Sequence, residues 1–336
     1  MRSSKNLDGH ELTADDFLSA NKILFSMFSR YGDFFATLSV IREFEKHYGK
    51  KHFIFMVPPQ MGPYVREFFP DASLIAVNKR NPISLLYAIF KLKKLDADIG
   101  LNPWSHGADS EFFISFAKKF MFYKKEMKKY KVENLYDKPR LYMKLMVSSW
   151  QHGQPALKSK YDNIIICPES SDVEKSMSKE NIAYVISNIK MFDPTIVIIA
   201  ATRQYFGYAK HTIADDVRRV YLKRGSKASK EFLDEVKKSD LVISADSGPM
   251  HLAYILHKDI IAYFSKTAPE WVIDDMANIY VQRDARMRDK YCQYADNGMC
   301  KTMECMNANF RGRFLKDYVY SNPSNIKREN YCLVEV

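Results

Sequence analysis

The residues best suited to chemistry are those of Asp246–His251, a segment that reads Asp-Ser-Gly-Pro-Met-His. The apolar run before it predicts a buried strand, and a proline is tolerated in the first turn of the helix that follows. Free backbone amides at a helix start, together with the positive end of the helix dipole, bind an anion such as a diphosphate. Asp246 at the strand end can accept hydrogen bonds from sugar hydroxyls, and His251 lies one turn into the helix.

The amides of Ser247, Gly248 and Met250 are the ones expected to point out of this helix start, and Gly248 lets a ligand approach the backbone closely. A purely structural interpretation is equally open, in which Asp246 and Ser247 only cap the helix. A histidine in such a helix is most often a satisfied structural residue. The segment therefore indicates an anion site without excluding a simple helix cap.

The first half of the chain contains the elements of a parallel α/β sheet. Apolar runs of strand length alternate with segments whose apolar residues recur at helical spacing. The connections are short, and this βαβαβ order predicts parallel strands that helices cover on both faces. The predicted strands are Lys22–Met27, His52–Val57, Leu74–Val77 and Ala97–Leu101, and the predicted helices are Asp33–His47, Gly62–Phe69 and Pro82–Lys94.

The pattern restarts after the polar stretch Ser148–Tyr161. We therefore expect two Rossmann-like α/β domains, residues 1–155 and 156–336, with the last helix packing back on the first domain. Ligands of such sheets bind beyond the carboxyl ends of the strands, so a cleft between the domains is the natural site. The predicted strands of the second domain are Asn163–Cys167, Thr195–Ala200, Leu241–Ala245 and Ile260–Phe264, and its helices are Lys179–Ile189, Ser229–Lys237 and Pro249–Leu256.

Positive charge is concentrated in one stretch of this 336-residue chain, whose net charge is +11. The stretch Lys118–Lys131 holds seven lysines and one glutamate, with aromatic residues among them. One interpretation is a solvated helix face. The other is a surface for anionic lipid or an acidic acceptor, formed by Lys118, Lys119, Lys124, Lys125 and Lys128. Nucleic acid is not an expected partner, because no nucleic-acid-binding module is recognisable.

Several classes of protein are disfavoured by what the sequence lacks. The polar segment Met1–Thr13 has no signal-peptide core, and no apolar run reaches the roughly 20 residues of a membrane span, so we expect a cytoplasmic protein. Five cysteines do not suggest a disulfide framework. Cys292, Cys300 and Cys305 lack the close pair of most zinc sites, which favours packing roles over metal binding. P-loop, dinucleotide-binding and hydrolase motifs are missing.

The segment Ser239–Ala253, which reads Ser-Asp-Leu-Val-Ile-Ser-Ala-Asp-Ser-Gly-Pro-Met-His-Leu-Ala, resembles the signature of glycosyltransferase family 9, the ADP-heptose:lipopolysaccharide heptosyltransferases. In that family an Asp-(Thr/Ser)-Gly-x-x-His run contacts the donor sugar and its diphosphate. Ile23–Leu38 resembles the family's first strand, its Gly-Asp turn and the next helix. Pro168–Ser178 resembles the loop that follows the first strand of the second domain.

The resemblance implies roles for individual residues. It makes Asp33 the catalytic base, although a Gly-Asp pair before a helix is also a good cap. At the position where the family usually carries a glutamate for the nucleotide ribose, this sequence has Thr202 or a neighbour. A lysine in the loop meets the diphosphate as a point charge. The implied donor-binding residues are Ser170, Ser171, Lys175, Thr202, Asp246, Ser247, Gly248 and His251.

The resemblance also implies GT-B architecture, with two domains facing across a cleft, and an inverting transfer from a nucleotide sugar, with ADP-heptose as donor. The implied acceptor is a lipopolysaccharide-core or lipooligosaccharide precursor at the inner face of the inner membrane. No metal or other cofactor is expected, because the second domain lacks the Asp-x-Asp motif of metal-using glycosyltransferases. Three alternatives stay open: another nucleotide sugar as donor, epimerisation of a nucleotide sugar, and a non-catalytic protein that binds the membrane surface.

Overall fold

The computed structural model describes residues 9–282, apart from 106, 133, 148–157, 159, 173–174, 178, 190–193, 202–216, 222–224, 265–266, 268 and 275–278. The chain divides into two compact units, Met1–Ser148 with Arg224–Leu233, and Ser149–Lys223 with Asp234–Val336. Each unit carries one parallel sheet. The boundary expected near residue 155, and the C-terminal segment in which a last helix was expected, lie outside the described residues.

The first unit has a five-stranded sheet in the order β3-β2-β1-β4-β5, and every pair in it is parallel. The two central strands β1 and β2 are almost wholly buried because helices cover both of their faces. Its elements are α1 (Ala14–Ser19), β1 (Lys22–Ser26), α2 (Tyr31–Tyr48), β2 (His52–Val57), α3 (Gly62–Phe68), β3 (Ser73–Ala76), α4 (Pro82–Leu95), β4 (Ile99–Leu101), α5 (Ala108–Ile114), β5 (Lys119–Met121), α6 (Tyr123–Met127) and α7 (Asp137–Tyr142).

The close approach of α5 to β4 depends on Gly100. A Cβ atom at this position would clash with the carbonyl oxygen and the side chain of Ile114 and would crowd Ala117. Glycine therefore lets α5 lie directly on the strand. This contact fixes the loop between β4 and α5, which forms part of the site described below.

The second unit has a six-stranded sheet in the order β11-β10-β9-β6-β7-β8, again parallel throughout. Isoleucine and valine dominate its central strands, as expected where both faces are buried. Its elements are β6 (Asn163–Cys167), α8 (Lys179–Ile189), β7 (Ile196–Ala201), β8 (Val217–Tyr221), β9 (Leu241–Ala245), α10 (Gly248–Ile255), β10 (Asp259–Tyr263) and β11 (Ile279–Gln282), and helix α9 (Ser226–Lys238) is shared with the first unit.

The predicted fold class, two Rossmann-like domains with parallel sheets, is confirmed. Two predictions need correction. Helix α2 begins at Tyr31, before the Gly-Asp pair and not after it. Lys118–Lys131 is not one helix face, because it contains strand β5 and only the short helix α6. Among the described helices, none combines the length and the apolar character that crossing a membrane requires.

Candidate functional site

Both sheets contain a point at which the strand order reverses, between β1 and β4 in the first and between β6 and β9 in the second. The loops that leave the carboxyl ends of two such strands diverge to opposite faces, and the crevice between them is where α/β proteins bind ligands. The paired strands end level with each other, since Phe25 lies opposite Leu101 and Cys167 opposite Ser244. Each unit therefore has one favoured position for a ligand site.

At the β6/β9 crevice, Lys175 and Asp246 form an ion pair although they lie 71 residues apart in sequence. The Lys175 Nζ atom is 2.6 Å from Asp246 Oδ2, a distance typical of a strong charge-assisted hydrogen bond. Asp246 is only 4% exposed and Lys175 is 22% exposed. The Ser170 hydroxyl donates to the backbone carbonyl of Asp246 over 3.4 Å. The structure thus brings together three of the residues that the sequence suggested for donor binding.

The loop between β6 and α8 holds Ser170 and Lys175 in place through its own hydrogen bonds. The Ser170 amide donates to Ser176 Oγ over 2.9 Å, and the Met177 amide donates to the Pro168 carbonyl over 2.8 Å. Ser171 is exposed on the same loop. Thr202, the residue expected near the nucleotide ribose, lies outside the described residues.

Helix α10 begins without a side-chain cap. Ser247 is its N-cap residue in extended conformation, and within the described part of the chain its buried hydroxyl has no hydrogen-bond partner. The amides of Ser247 and Gly248 likewise donate to no described residue. Met250 differs from the expectation, because its amide donates to the Ser247 carbonyl over 3.1 Å. Two amides, rather than three, remain for a ligand at this helix start.

His251 is the fourth residue of α10, and its side chain is buried, with 3% exposed. Burial lowers its pKa to about 4; the Asp246 carboxylate opposes this shift, and the Lys175 ammonium adds to it. The imidazole is therefore neutral at pH 7. It can donate or accept a hydrogen bond, and among the described residues of this crevice Lys175 supplies positive charge.

At the β1/β4 crevice, the first unit has a pocket of about 470 Å³. Asp33 is the third residue of α2, is half-buried, and lines this pocket. It is not the helix cap, since Arg30 occupies the N-cap position. Its carboxylate lies close enough to Tyr123 to add to the rise in the pKa of that buried phenol, which burial causes in the first place. The lining residues are Phe28, Ser29, Arg30, Asp33, Lys79, Trp104, Ser105, Gly107, Asp109 and Ser110.

The pocket has several charged residues that the sequence analysis did not identify. Lys79 forms an ion pair with Asp109, and its Nζ atom lies 4.1 Å from the centroid of the Phe28 ring. Arg30 is exposed at the rim. Lys79 follows β3 and Asp109 lies in the first turn of α5, so the parallel topology places both at the edge where Asp33 lies. The sequence could have indicated them through the rule that ligands bind beyond the carboxyl ends of parallel strands.

A buried asparagine holds the pocket's wall. Asn102 Nδ2 donates to the Ser105 carbonyl over 2.9 Å and to Ser110 Oγ over 3.2 Å, and Asn102 Oδ1 accepts from the Tyr123 amide over 2.9 Å. Ser105 Oγ in turn accepts from the Phe28 amide over 2.8 Å, which ties the two loops of the crevice together. The pocket is therefore a built feature of the fold.

The lysine-rich stretch is less open than its sequence suggested. Lys118 pairs with Asp96 and Asp98, and Lys119 pairs with Asp16. Lys124, Lys125 and Lys128 are exposed, but the aromatic residues between the lysines are buried, namely Phe120, Phe122 and Tyr123. No group of three or more acidic, histidine or cysteine side chains among the described residues could hold a metal, and Cys292, Cys300 and Cys305 lie outside those residues.

Two parallel α/β units with ligand crevices at their strand ends define a class of protein that includes sugar transferases acting on nucleotide-activated donors. The family model of glycosyltransferase family 9 (heptosyltransferase) matches residues 118–294, more than half of the chain. The chain therefore belongs to this family and is a glycosyltransferase. The sequences of curated proteins give no match.

Solved structures of similar fold include other members of this class. The chain resembles Escherichia coli ADP-heptose lipopolysaccharide heptosyltransferase II with 14% identity and a TM-score of 0.60, over 78% of this chain and 90% of that one. It resembles E. coli heptosyltransferase WaaC with ADP-2-deoxy-2-fluoro heptose with 13% identity and a TM-score of 0.54, over 78% and 93%. The iron-containing dodecameric glycosyltransferase TibC from enterotoxigenic E. coli H10407 matches with 9% identity and a TM-score of 0.51, over 90% and 74%.

Proposed function

We propose that this glycosyltransferase moves a heptose from ADP-heptose to the core region of a lipopolysaccharide precursor, with inversion at the anomeric carbon and without a metal. The observation that carries the proposal is the pairing of Lys175 with Asp246 at the uncapped start of α10. A cation, two amides and a carboxylate at one strand edge suit a diphosphate joined to a sugar. The similar structures named for ADP-heptose and its fluorinated analogue favour heptose as the sugar.

In this proposal the diphosphate binds at the start of α10 and draws the Lys175 ammonium toward itself. The helix amides of Ser247 and Gly248 donate to phosphate oxygens. Asp246, relieved of part of its pairing, accepts hydrogen bonds from sugar hydroxyls, and neutral His251 adds a further polar contact. The remaining donor-binding residues of the proposal are Ser170, Ser171 and Thr202.

The acceptor is assigned to the pocket of the first unit, where Asp33 is the general base. The acceptor hydroxyl oxygen attacks the anomeric carbon, its proton passes to the Asp33 carboxylate, and the bond from that carbon to the diphosphate oxygen breaks to release ADP. The start of α2 favours an ionised carboxylate at this position. Arg30 and Lys79 line the same pocket and suit the phosphates and carboxylates of a lipopolysaccharide precursor.

The proposal requires that charge on the departing ADP be balanced by groups of the chain. Lys175 and the positive end of the α10 dipole would stabilise this negative charge. Groups that are already oriented before the reaction lower the barrier because they need not move as the charge develops. Metal independence is a proposal for this chain and is not a general property of the fold, since TibC, a protein of similar fold, contains iron.

The test is to incubate the protein with ADP-heptose and a lipopolysaccharide precursor that lacks heptose, and to follow the acceptor by mass spectrometry. The proposal predicts a mass increase of one heptose and release of ADP. Transfer only from UDP- or GDP-sugars would assign a different donor. Conversion of the donor without any acceptor would indicate an epimerase. A protein that neither binds nor consumes any nucleotide sugar would be a non-catalytic member of the family.

A further inference from the structure

Helix α4 carries an exposed stripe of large apolar side chains. Ile83 is 77% exposed, Leu86 68%, Tyr87 55% and Phe90 66%. Their spacing of three, four and seven residues places them within an arc of about 100° on the helix surface. They therefore form one continuous apolar face rather than scattered surface positions.

This face is not needed for the packing of the unit. The opposite side of α4 already fills the core, where Ala88 and Leu92 are buried and Leu85 and Ile89 pack against the same cluster. A helix that is apolar on both sides normally has a partner on both sides. Exposed apolar faces that are bordered by polar residues mark interaction surfaces.

The surroundings of the stripe are positively charged. Residues 82–95 contain no aspartate or glutamate and carry Lys91, Lys93 and Lys94 in their last five positions, while Arg80 precedes the helix. None of these four cations forms an ion pair with another residue that the structure describes. At 100° per residue, Lys91 and Lys93 lie on opposite sides of the stripe. Their long aliphatic stems let ammonium groups stay in water while the helix lies on an apolar medium.

We propose that α4 is a membrane-binding helix that lies in the interface of a bilayer rich in anionic phospholipid. The stripe Ile83, Leu86, Tyr87 and Phe90 enters the acyl boundary, and the lysines contact lipid phosphates. This combination of apolar face and flanking cations distinguishes the helix from Lys118–Lys131, whose aromatic residues are buried.

The position of the helix gives the proposal a use in the reaction, and in this respect it rests on the proposed function. Lys79 lines the Asp33 pocket and lies four residues before Ile83. A bilayer bound at the start of α4 would thus lie beside the pocket assigned to the lipid-linked acceptor. The acceptor's sugar and phosphate groups could reach the pocket while its acyl chains stay in the membrane.

The experiment measures binding of the full chain to vesicles of equal parts phosphatidylcholine and phosphatidylglycerol by co-sedimentation, without substrates. The double variant Leu86→Ser/Phe90→Ser should bind about tenfold more weakly or worse, because half of the inserted face is lost. Lys91→Gln/Lys94→Gln should lose about fivefold for each lysine, and only at low salt. Leu18→Ser is the matched control, since Leu18 is a 55% exposed leucine on α1.

Stability and oligomeric state are measured on the same proteins. The proposal predicts that the Leu86→Ser/Phe90→Ser variant keeps the parent's melting temperature, because the stripe packs against no core residue. Unchanged vesicle binding would overturn the proposal. A lower melting temperature with unchanged vesicle binding would mean that another part of this chain covers the stripe. Loss of a dimer in light scattering, again with unchanged vesicle binding, would assign the stripe to a second copy.

Failure of this proposal can be told apart from failure of the proposed function. Transfer of heptose to a water-soluble, delipidated acceptor should be equal in the parent and the stripe variant. Normal transfer with no vesicle binding would remove the membrane helix alone. Strong stripe-dependent vesicle binding with no transfer from any donor would leave the membrane helix standing and remove the proposed reaction.

Discussion

Asp246 is a buried carboxylate, and Lys175 supplies the cation beside it over 2.6 Å. Removing Lys175 and removing Asp246 should lower the stability of the protein by different amounts, because Asp246 is 4% exposed whereas Lys175 is 22% exposed. An unpaired carboxylate in the interior costs more free energy than an unpaired ammonium that water can reach. The same lysine is proposed to bind the diphosphate, so stability and ligand binding are linked through it.

We expect Lys175→Ala to weaken ADP binding by roughly 1.5–3 kcal/mol, the range for a hydrogen bond to a charged group. The variant should also lose stability, and adding Asp246→Asn should restore part of it, because the unpaired buried charge is removed. Calorimetry measures the first effect and urea unfolding the second. Lys160→Ala is the control, since Lys160 is exposed and its ion pair among the described residues is with exposed Asp162. Unchanged ADP affinity would remove Lys175 from the site.

The pH dependence of stability tests the environment of His251. Its folded pKa of about 4 lies below the ordinary value of 6.5, so the unfolded chain binds the proton more readily. The stability that this difference contributes is present above pH 6.5 and is lost as the pH falls toward 4, by up to roughly 3 kcal/mol. Urea unfolding at a series of pH values should show a smaller decline for His251→Gln than for the parent. Parallel declines would show that the buried imidazole does not titrate as described.

The sequence indicated the residues of the β6/β9 crevice more readily than those of the pocket. Asp246–His251 is a local pattern, readable from a strand end and the helix start after it. Lys175 was indicated by the resemblance to the family. Lys79 and Asp109 carry no such pattern, because Lys79 follows a short strand and Asp109 lies in the first turn of a seven-residue helix. The order of the strands in the sheet brings them close to Asp33, and this order cannot be predicted from any single segment of the sequence.

At the scale of elements, the contact of α5 with β4 sets the pocket wall. Gly100→Ala should lower the free energy of unfolding by about 1–3 kcal/mol, since the new methyl group meets the Ile114 carbonyl in a packed interface. Denaturant unfolding measures this change. Gly62→Ala is the control, because its Cβ would meet only the flexible end of Leu74 at 3.3 Å. If both variants are equally stable, the close approach of α5 is not what requires Gly100.

The strands that the sequence failed to indicate share one property. Strands β5, β8 and β11 lie at the edges of their sheets, whereas the central strands were all predicted. An edge strand is covered on fewer sides and needs fewer apolar residues, so its pattern is weak. Val217–Tyr221 has two consecutive arginines, and Lys119–Met121 is three residues long within a lysine-rich stretch.

At the scale of the whole molecule, the proposed chemistry relies on cations of the chain in place of a metal. Turnover should therefore persist in excess EDTA, because Lys175 and the start of α10 balance the charge of the departing ADP. The assay of heptose transfer, run with and without chelator, measures this. Loss of activity that magnesium or manganese restores would contradict the leaving-group mechanism. Restoration by zinc or iron alone would direct attention to residues 283–336, which include Cys292, Cys300 and Cys305.

The central claim is that the Asp33 pocket and the Lys175–Asp246 crevice serve one transfer reaction with different tasks. The most direct test is turnover of ADP-heptose with a heptose-deficient precursor by Asp33→Asn, compared with its ADP affinity and melting temperature. Asparagine keeps the size of the side chain but cannot take the proton. The account predicts that turnover falls by about 10²–10⁴-fold, while ADP affinity and melting temperature stay at the parent's values. Normal turnover by a folded Asp33→Asn protein would contradict it.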